Sequence, residues 1–153
     1  MPIITLTING QPVSLDAWDP AMPLLHALRG PLDFQGAKPG CGLAQCGACT
    51  VLLDDEPVRA CVVPVSSASG RRVTTIEAGG TPEAPDRLQA AFIAEGAAQC
   101  GYCTPGMIMS ARALLARTPH PTAEQIKDAL SGNLCRCGAY TRVLRAVLRA
   151  SGG

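Results

Sequence analysis

Residues 39–49 read PGCGLAQCGAC and carry three of the eight cysteines in this 153-residue chain. Cys41, Cys46 and Cys49 are spaced C-x4-C-x2-C, and Cys61 follows after eleven further residues. This is the spacing of plant-type ferredoxins, in which four thiolates hold one [2Fe–2S] cluster. The stretch therefore predicts an iron–sulfur site built on a loop, with the fourth ligand arriving from a strand.

The small residues of the same loop support this interpretation. A loop that wraps a compact anionic cluster must bring its backbone N–H groups close to the sulfurs, and glycine allows the unusual dihedrals that this requires. The glycines predicted to shape the loop backbone are Gly40, Gly42 and Gly47. Structural zinc also takes four cysteines, but its sites are usually built from paired C-x2–4-C motifs rather than from three ligands in one loop.

The other four cysteines form a second group, in which Cys100 and Cys103 read C-x2-C and Cys135 and Cys137 read C-x-C. Each pair is predicted at the start of a helix, where free N–H groups and partial positive charge stabilise an anion. Zinc fits this spacing better than it fits the first group, but a neighbouring iron–sulfur motif favours a second [2Fe–2S] cluster. Disulfides are disfavoured because no secretion signal is evident and a single residue separates Cys135 from Cys137.

The composition excludes several classes of partner. Thirteen basic and twelve acidic residues give a formal charge of +1, which gives no electrostatic reason to expect nucleic acid or an anionic membrane surface. No apolar run approaches the roughly 20 residues of a membrane span, so direct membrane insertion is not expected. The N-terminus reads as a strand rather than a signal peptide, which predicts a cytoplasmic chain unless a signal-bearing partner carries it to the periplasm or the membrane.

The pattern of apolar residues changes near the middle of the chain. In the first half, Asn9-Gly10 is a favoured hairpin turn between two short apolar stretches. Strands are predicted at 3–8, 12–15, 50–53, 58–65 and 72–76, with a short helix at 23–29. In the second half the apolar spacing is helical. Four helices are predicted there: one around 88–92, one after an N-cap at Thr104, one after an N-cap at Thr122, and one after Gly138.

These elements predict an α+β chain with two domains. Residues 1–77 are expected to form a ferredoxin-like domain, residues 78–82 a linker, and residues 83–153 a helical domain that binds the second cluster. The two histidines, His26 and His120, lie far from the cysteines in sequence. No acid, base or nucleophile stands out beyond the cysteines, so no catalytic residue is predicted.

The strings GCGLAQCGACTV, QCGYCTPGMIMSA and NLCRC resemble the small iron–sulfur subunit of the xanthine oxidase family of molybdenum hydroxylases. The resemblance extends over nearly the whole chain. Its ending, CRCGAY, resembles the branch that includes the nicotinate dehydrogenase and isoquinoline oxidoreductase small subunits. The resemblance implies a β-grasp domain with one [2Fe–2S] cluster and a four-helix domain with the other. A non-catalytic electron-transfer subunit of an oxidoreductase is the function that it implies.

The resemblance also implies partners. A separate large subunit would bind molybdopterin cytosine dinucleotide and hydroxylate an aldehyde or an N-heteroaromatic substrate. Electrons would pass through the helical-domain cluster and then the ferredoxin-domain cluster to a cytochrome c, a FAD subunit or a quinone. Gln99 would reach toward the pterin, and Cys137 would lie beside it while binding iron. The alternative is a free-standing soluble two-cluster ferredoxin, which the second cysteine-bearing domain argues against.

Three positions depart from the family pattern. Ala44 stands where the loop usually has glycine, Asp54-Asp55 stands where a hairpin usually reads Asp-Gly, and Gly138-Ala139 stands where many members have threonine-glycine. The second departure puts the type of the hairpin turn in question. None of the three removes a predicted ligand.

Overall fold

The first half of the chain folds into a mixed sheet with one helix against it. We describe residues 1–152 from a computed structural model. The strands are β1 (Ile3–Ile8), β2 (Gln11–Asp16), β3 (Thr50–Leu53), β4 (Glu56–Arg59) and β5 (Arg72–Thr74), and helix α1 spans Leu24–Arg29. The strand order is β2-β1-β5-β3-β4. Strands β1 and β5 run parallel, whereas the other three pairs are antiparallel.

Local turn chemistry sets both hairpins of this sheet. Asn9 and Gly10 have φ values of 51° and 82°, and the register runs from Ile8 opposite Gln11 to Ile3 opposite Asp16. Asp54 and Asp55 take φ values of 49° and 69°, so the second hairpin also has two left-handed residues at its turn. Aspartate tolerates that region better than most residues, which explains how this turn forms without glycine.

The strand predicted at 58–65 is wrong in its limits. Strand β4 ends at Arg59, and Val65–Ala68 form a 3-10 turn. The reason is competition from the start of α1, where Leu24 N–H donates to Val63 O at 2.7 Å and Leu25 N–H donates to Ala60 O at 2.9 Å. Cys61 therefore lies in a turn after β4 and not on a strand. Strand β5 is likewise shorter than predicted and ends at Thr74.

The second half is helical, as the apolar spacing predicts. The helices are α2 (Arg87–Ala94), α3 (Thr104–Arg117), α4 (Ala123–Ala129) and α5 (Tyr140–Ala150). Thr122 caps α4 through a capping box with Gln125, as predicted. Thr104 does not cap α3: Cys103 occupies the N-cap position, and the Thr104 hydroxyl is buried without a hydrogen-bond partner among the described residues.

Two aliphatic cores support these halves. The first lies between the sheet and α1 and includes Ile8, Leu24, Leu28 and Val73; the second lies among α2, α3, α4 and α5 and includes Met107. The predicted linker falls in the connection between β5 and α2, and the domain limits stay a prediction. Within residues 1–152, no helix combines the length and the apolar character needed to cross a bilayer.

Candidate iron–sulfur sites

Backbone N–H groups of the first loop surround the sulfur of Cys41. Leu43, Gln45 and Cys46 donate to Cys41 Sγ at 3.3, 3.2 and 3.3 Å. These donors lower the pKa of the exposed Cys41 thiol to about 6, because hydrogen bonds to the charged form favour it. A thiolate is the form that binds metal, so the loop is organised to hold this sulfur as a ligand.

The shape of the loop depends on residues that take left-handed backbone angles. Gly42 and Gly47 have φ values of 70° and 79°, and Ala44 takes 61°. Gly40 serves a different purpose, since a Cβ there would lie 2.5 Å from Cys46 Sγ. Cys46 Sγ also accepts N–H groups from Cys41 at 3.4 Å and from Ala48 at 3.5 Å. The loop is therefore a cradle that bulkier residues would fill or distort.

The remaining sulfurs of the first quartet, those of Cys49 and Cys61, lie deeper. Cys49 is buried immediately before β3, and burial raises the pKa of its thiol to about 11. The Cys61 backbone acts to lower the same pKa, whereas the neighbouring Cys61 and Cys46 sulfurs act to raise it. Cys49 therefore lies close enough to Cys46 and Cys61 for their sulfurs to influence its pKa, and the role of the four as ligands stays a prediction.

The second quartet forms where two helices begin. Cys100 is exposed and Cys103 is half-buried just before α3, while Cys135 is buried and Cys137 half-buried before α5. Burial and, after it, the neighbouring Cys135 sulfur raise the pKa of Cys103 to about 12. Burial also acts to raise the pKa of Cys135, but hydrogen bonds from Ala139 N–H and neighbouring groups outweigh it and lower the value. The Ala139 N–H to Cys135 Sγ distance is 3.4 Å.

The chemistry of the cysteine donors can be compared with the needs of zinc and of a [2Fe–2S] cluster. In residues 1–152, no three His, Cys, Asp or Glu side chains converge on a point that one metal ion would occupy. Structural zinc needs four donors around one ion. A [2Fe–2S] cluster shares four thiolates between two irons, so its ligands are spread more widely. Thiols from both quartets, inward N–H donors and a glycine cradle fit such clusters, while the assignment of all eight ligands stays a prediction.

Several residues near the cysteines carry no signal in the sequence. Tyr140, the first residue of α5, accepts a hydrogen bond from Cys135 N–H at its hydroxyl, at 2.7 Å. Tyr102, between the two cysteines of the C-x2-C motif, donates its hydroxyl to Pro39 O at the edge of the first loop. The first contact joins residues 5 positions apart in the sequence, and the second joins residues 63 positions apart. No local sequence pattern indicates a contact over the longer separation.

A buried contact joins the two cysteine-bearing segments. Leu134 N–H donates to Cys46 O at 2.8 Å, and Asn133 Nδ2 donates to Gly47 O at 3.2 Å. Arg59 Nη2 donates to Gly132 O at 3.0 Å. Three consecutive residues before Cys135 thus bind the first half of the chain. Gln99, in contrast, is exposed on the connection between α2 and α3 beside Cys100.

Two family models match this chain. Residues 6–73 match the model of the 2Fe-2S iron-sulfur cluster binding domain, and residues 75–148 match that of the [2Fe-2S] binding domain. One subunit of nicotinate dehydrogenase from Pseudomonas putida is 55% identical over 97% of this chain and 94% of its own length. One subunit of isoquinoline 1-oxidoreductase from Brevundimonas diminuta is 47% identical, with 97% of each chain covered.

Solved structures show the same similarity. Quinoline 2-oxidoreductase from Pseudomonas putida 86 matches with a TM-score of 0.93 and 37% identity, over 98% of this chain and 92% of the matched chain. Aldehyde oxidoreductase from Desulfovibrio desulfuricans matches with a TM-score of 0.95 and 43% identity over 99% of this chain, which corresponds to 17% of that longer protein. With its β-grasp and four-helix halves, the chain belongs to the family of small iron–sulfur subunits of the molybdenum hydroxylases.

Proposed function

We propose that this chain relays electrons from the molybdenum–pterin centre of a large partner subunit to an external acceptor. The observation that carries the proposal is that two cysteine quartets lie in one chain and are joined by the hydrogen bond from Leu134 N–H to Cys46 O. Bound at each quartet, a [2Fe–2S] cluster supplies a carrier for one electron at a time. The chain contributes the ligands, their spacing and the N–H donors around them.

The proposal assigns four cysteine ligands to each cluster. Cys41, Cys46, Cys49 and Cys61 form the first set, and Cys100, Cys103, Cys135 and Cys137 form the second. N–H donors around Cys41 favour the thiolate, and hydrogen bonds from protein to sulfur are among the features that tune cluster potentials. In this proposal the substrate chemistry belongs to the partner.

The second quartet is the end that faces the partner's cofactor in this proposal. Gln99 and Cys100 are exposed, so both are available to a partner surface, and Cys137 is half-buried next to exposed Gly138. Gln99 would contact the pterin and Cys137 would lie beside it. At the other end, Cys41 is exposed and Leu43 is 66% exposed on the first loop. An acceptor docking there would approach the first quartet directly.

The relatives indicate the kind of complex. The large partner would bind molybdopterin cytosine dinucleotide, and an N-heteroaromatic substrate is favoured over an aldehyde because the matched proteins that this chain covers almost completely are nicotinate, isoquinoline and quinoline oxidoreductases. The acceptor would be a cytochrome c, a FAD subunit or a quinone. We propose a heteromeric complex in place of a diffusing carrier.

Two serine variants test the relay and its direction. The wild-type chain should contain about four iron and four labile sulfide atoms, as two [2Fe–2S] clusters require. In the complex, Cys135→Ser should abolish substrate-driven reduction at the first quartet while leaving its cluster assembled. The reciprocal Cys61→Ser should leave substrate-driven reduction at the second quartet intact. Normal reduction of the first quartet in Cys135→Ser would show that the proposed order is wrong, and a chain containing only zinc would end the proposal.

A further inference from the structure

We propose that Asn133 is a positioning residue that sets the separation of the two cysteine quartets, and that its side-chain amide does so by holding residues 132–134 against the first cysteine loop. The inference rests on the proposed two-cluster relay and adds to it a residue that binds neither cluster. Electron transfer between two centres weakens steeply with distance, so a residue that fixes their separation acts on the relay even without touching either centre.

The surroundings of Asn133 fix the orientation of its amide. The side chain is 1% exposed. Gly47 O is a carbonyl and can only accept, so the amide NH2 must face it, at 3.2 Å. The amide oxygen then accepts the hydroxyl of Ser110, on α3, at 2.8 Å. One side chain therefore ties the first cysteine loop to the helix that follows Cys103.

The same segment approaches both quartets along the backbone. Leu134 N–H binds Cys46 O at 2.8 Å, and Cys135 is the next residue. A ligand of the first quartet and a ligand of the second are thus joined by one hydrogen bond and a single intervening residue, Leu134. Any shift of residues 132–134 away from the loop lengthens this connection directly.

The contact has little room for adjustment. A Cβ on Gly47 would lie 2.6 Å from both Asn133 Nδ2 and Gly132 O, and a Cβ on Gly106 would lie 2.2 Å from Gly47 O. The segments meet through backbone atoms and through the buried Asn133 amide, and an added Cβ at Gly47 has no space. Packed contacts of this kind transmit a displacement instead of absorbing it.

Loss of the amide acts mainly on position. Gly47 O keeps two other donors, Thr50 N–H at 3.2 Å and the Thr50 hydroxyl at 2.7 Å. An Asn133→Ala chain therefore leaves the loop carbonyl satisfied, and what it loses is the side-chain tie that joins residues 132–134 to Gly47 on one side and to Ser110 of α3 on the other. For this reason we expect both clusters to assemble in the variant while their separation changes.

The test is the magnetic dipolar coupling between the two reduced clusters, measured by electron paramagnetic resonance on the purified complex. This coupling falls with the inverse cube of the separation and does not depend on turnover. Asn133→Ala should reduce and broaden the coupling at unchanged iron and sulfide content. Asn133→Asp should act in the same direction, because a carboxylate cannot donate to Gly47 O. Wild-type coupling in a fully loaded Asn133→Ala complex would overturn the inference.

Asn9→Ala is the matched control. Asn9 also makes two side-chain hydrogen bonds, its Nδ2 donating to Thr75 Oγ1 and its Oδ1 accepting Thr75 N–H, both at 2.9 Å. These bonds lie outside both cysteine loops, so this variant should lose thermal stability without any change in coupling. If Asn9→Ala changed the dipolar coupling as much as Asn133→Ala does, the change would reflect general destabilisation of the protein, and the inference would be overturned.

Ser110→Ala keeps the test decisive if Asn133→Ala does not fold. It removes only the partner of the amide oxygen and should weaken the coupling less than the Asn133 variants. Unchanged coupling in Ser110→Ala, in that case, counts against the inference. A wild-type chain without two clusters would instead refute the proposed function, so the two failures are distinguishable.

Discussion

Replacing Gly106 by alanine should destabilise this protein, although the same change in most helices stabilises. Gly106 lies in the first turn of α3, where alanine is favoured over glycine by about 1 kcal/mol from helix propensity. The alanine Cβ would, however, lie 2.2 Å from Gly47 O and 3.2 Å from Gly47 C. Overpacking costs roughly 1–3 kcal/mol, and the upper end applies because the obstructing atoms are backbone.

The two terms give a net loss of about 2 kcal/mol, obtained as roughly 3 kcal/mol of overpacking less about 1 kcal/mol of propensity. For a chain of this size the midpoint of thermal unfolding should fall by about 4–8 °C. The assay is circular dichroism at one scan rate on cluster-loaded protein. Thr104→Val is the control, since it changes the same helical turn but removes a buried hydroxyl that has no hydrogen-bond partner among the described residues. A Gly106→Ala chain as stable as wild type would refute the reasoning.

Three further predictions concern single sites. Thr104→Val should raise stability by about 1 kcal/mol because an unpaired hydroxyl leaves the interior, and an unchanged or lower unfolding midpoint would contradict this. Ala44→Gly should stabilise the protein by about 0.5–1 kcal/mol, because glycine removes the backbone strain at φ 61° and this gain exceeds the cost of a more flexible unfolded chain. Equal midpoints in thermal unfolding would show that the loop is not strained at this position. Asp54 accepts a hydrogen bond from Arg72 N–H at 3.0 Å and forms an ion pair with Arg71 at 2.7 Å. Both interactions lower the pKa of its carboxyl, and the hydrogen bond from Arg72 contributes more. A carboxyl with a lowered folded pKa stabilises above its unfolded pKa of about 3.9, and this stability is lost as pH falls through the folded value. Urea unfolding should therefore show Asp54→Asn less stable than wild type at pH 7 and equal to it in strong acid, where a persistent difference would contradict the assignment.

The parts of the fold that the sequence predicts are those set by neighbouring residues. Asn9-Gly10 predicts its hairpin because both residues favour positive φ, and Thr122 predicts the start of α4 because its side chain caps locally. The spacing of Cys41, Cys46 and Cys49 predicts that these three cysteines share one loop for the same reason. In each case the decisive interactions join residues within one turn or one loop.

The parts that the sequence does not predict depend on distant partners. Residues 58–65 have strand-forming side chains, but two carbonyls there are taken by N–H groups at the start of α1, and β4 ends at Arg59. Asn133 begins the NLCRC string, but the string does not indicate what its side chain contacts. Its role follows only from Gly47, 86 positions away in sequence, and from Ser110, 23 positions away. No spacing rule connects such positions, because their proximity is a result of the fold.

The glycines of this protein are present for two different physical reasons, and only the structure separates them. Gly42 has φ 70°, and a Cβ added to it would meet no atom within 4 Å, so it serves backbone conformation alone. Gly106 has ordinary helical geometry and serves close approach alone, whereas Gly47 serves both. Asparagine tolerates left-handed backbone angles, so Gly42→Asn should lower the free energy of unfolding only slightly. Gly47→Asn should disrupt the contact with Asn133, because its side chain has no space whatever its backbone angle. Within one eleven-residue loop, glycine is therefore needed at Gly42 for its backbone angle and at Gly47 also for the close contact with the segment before the second quartet.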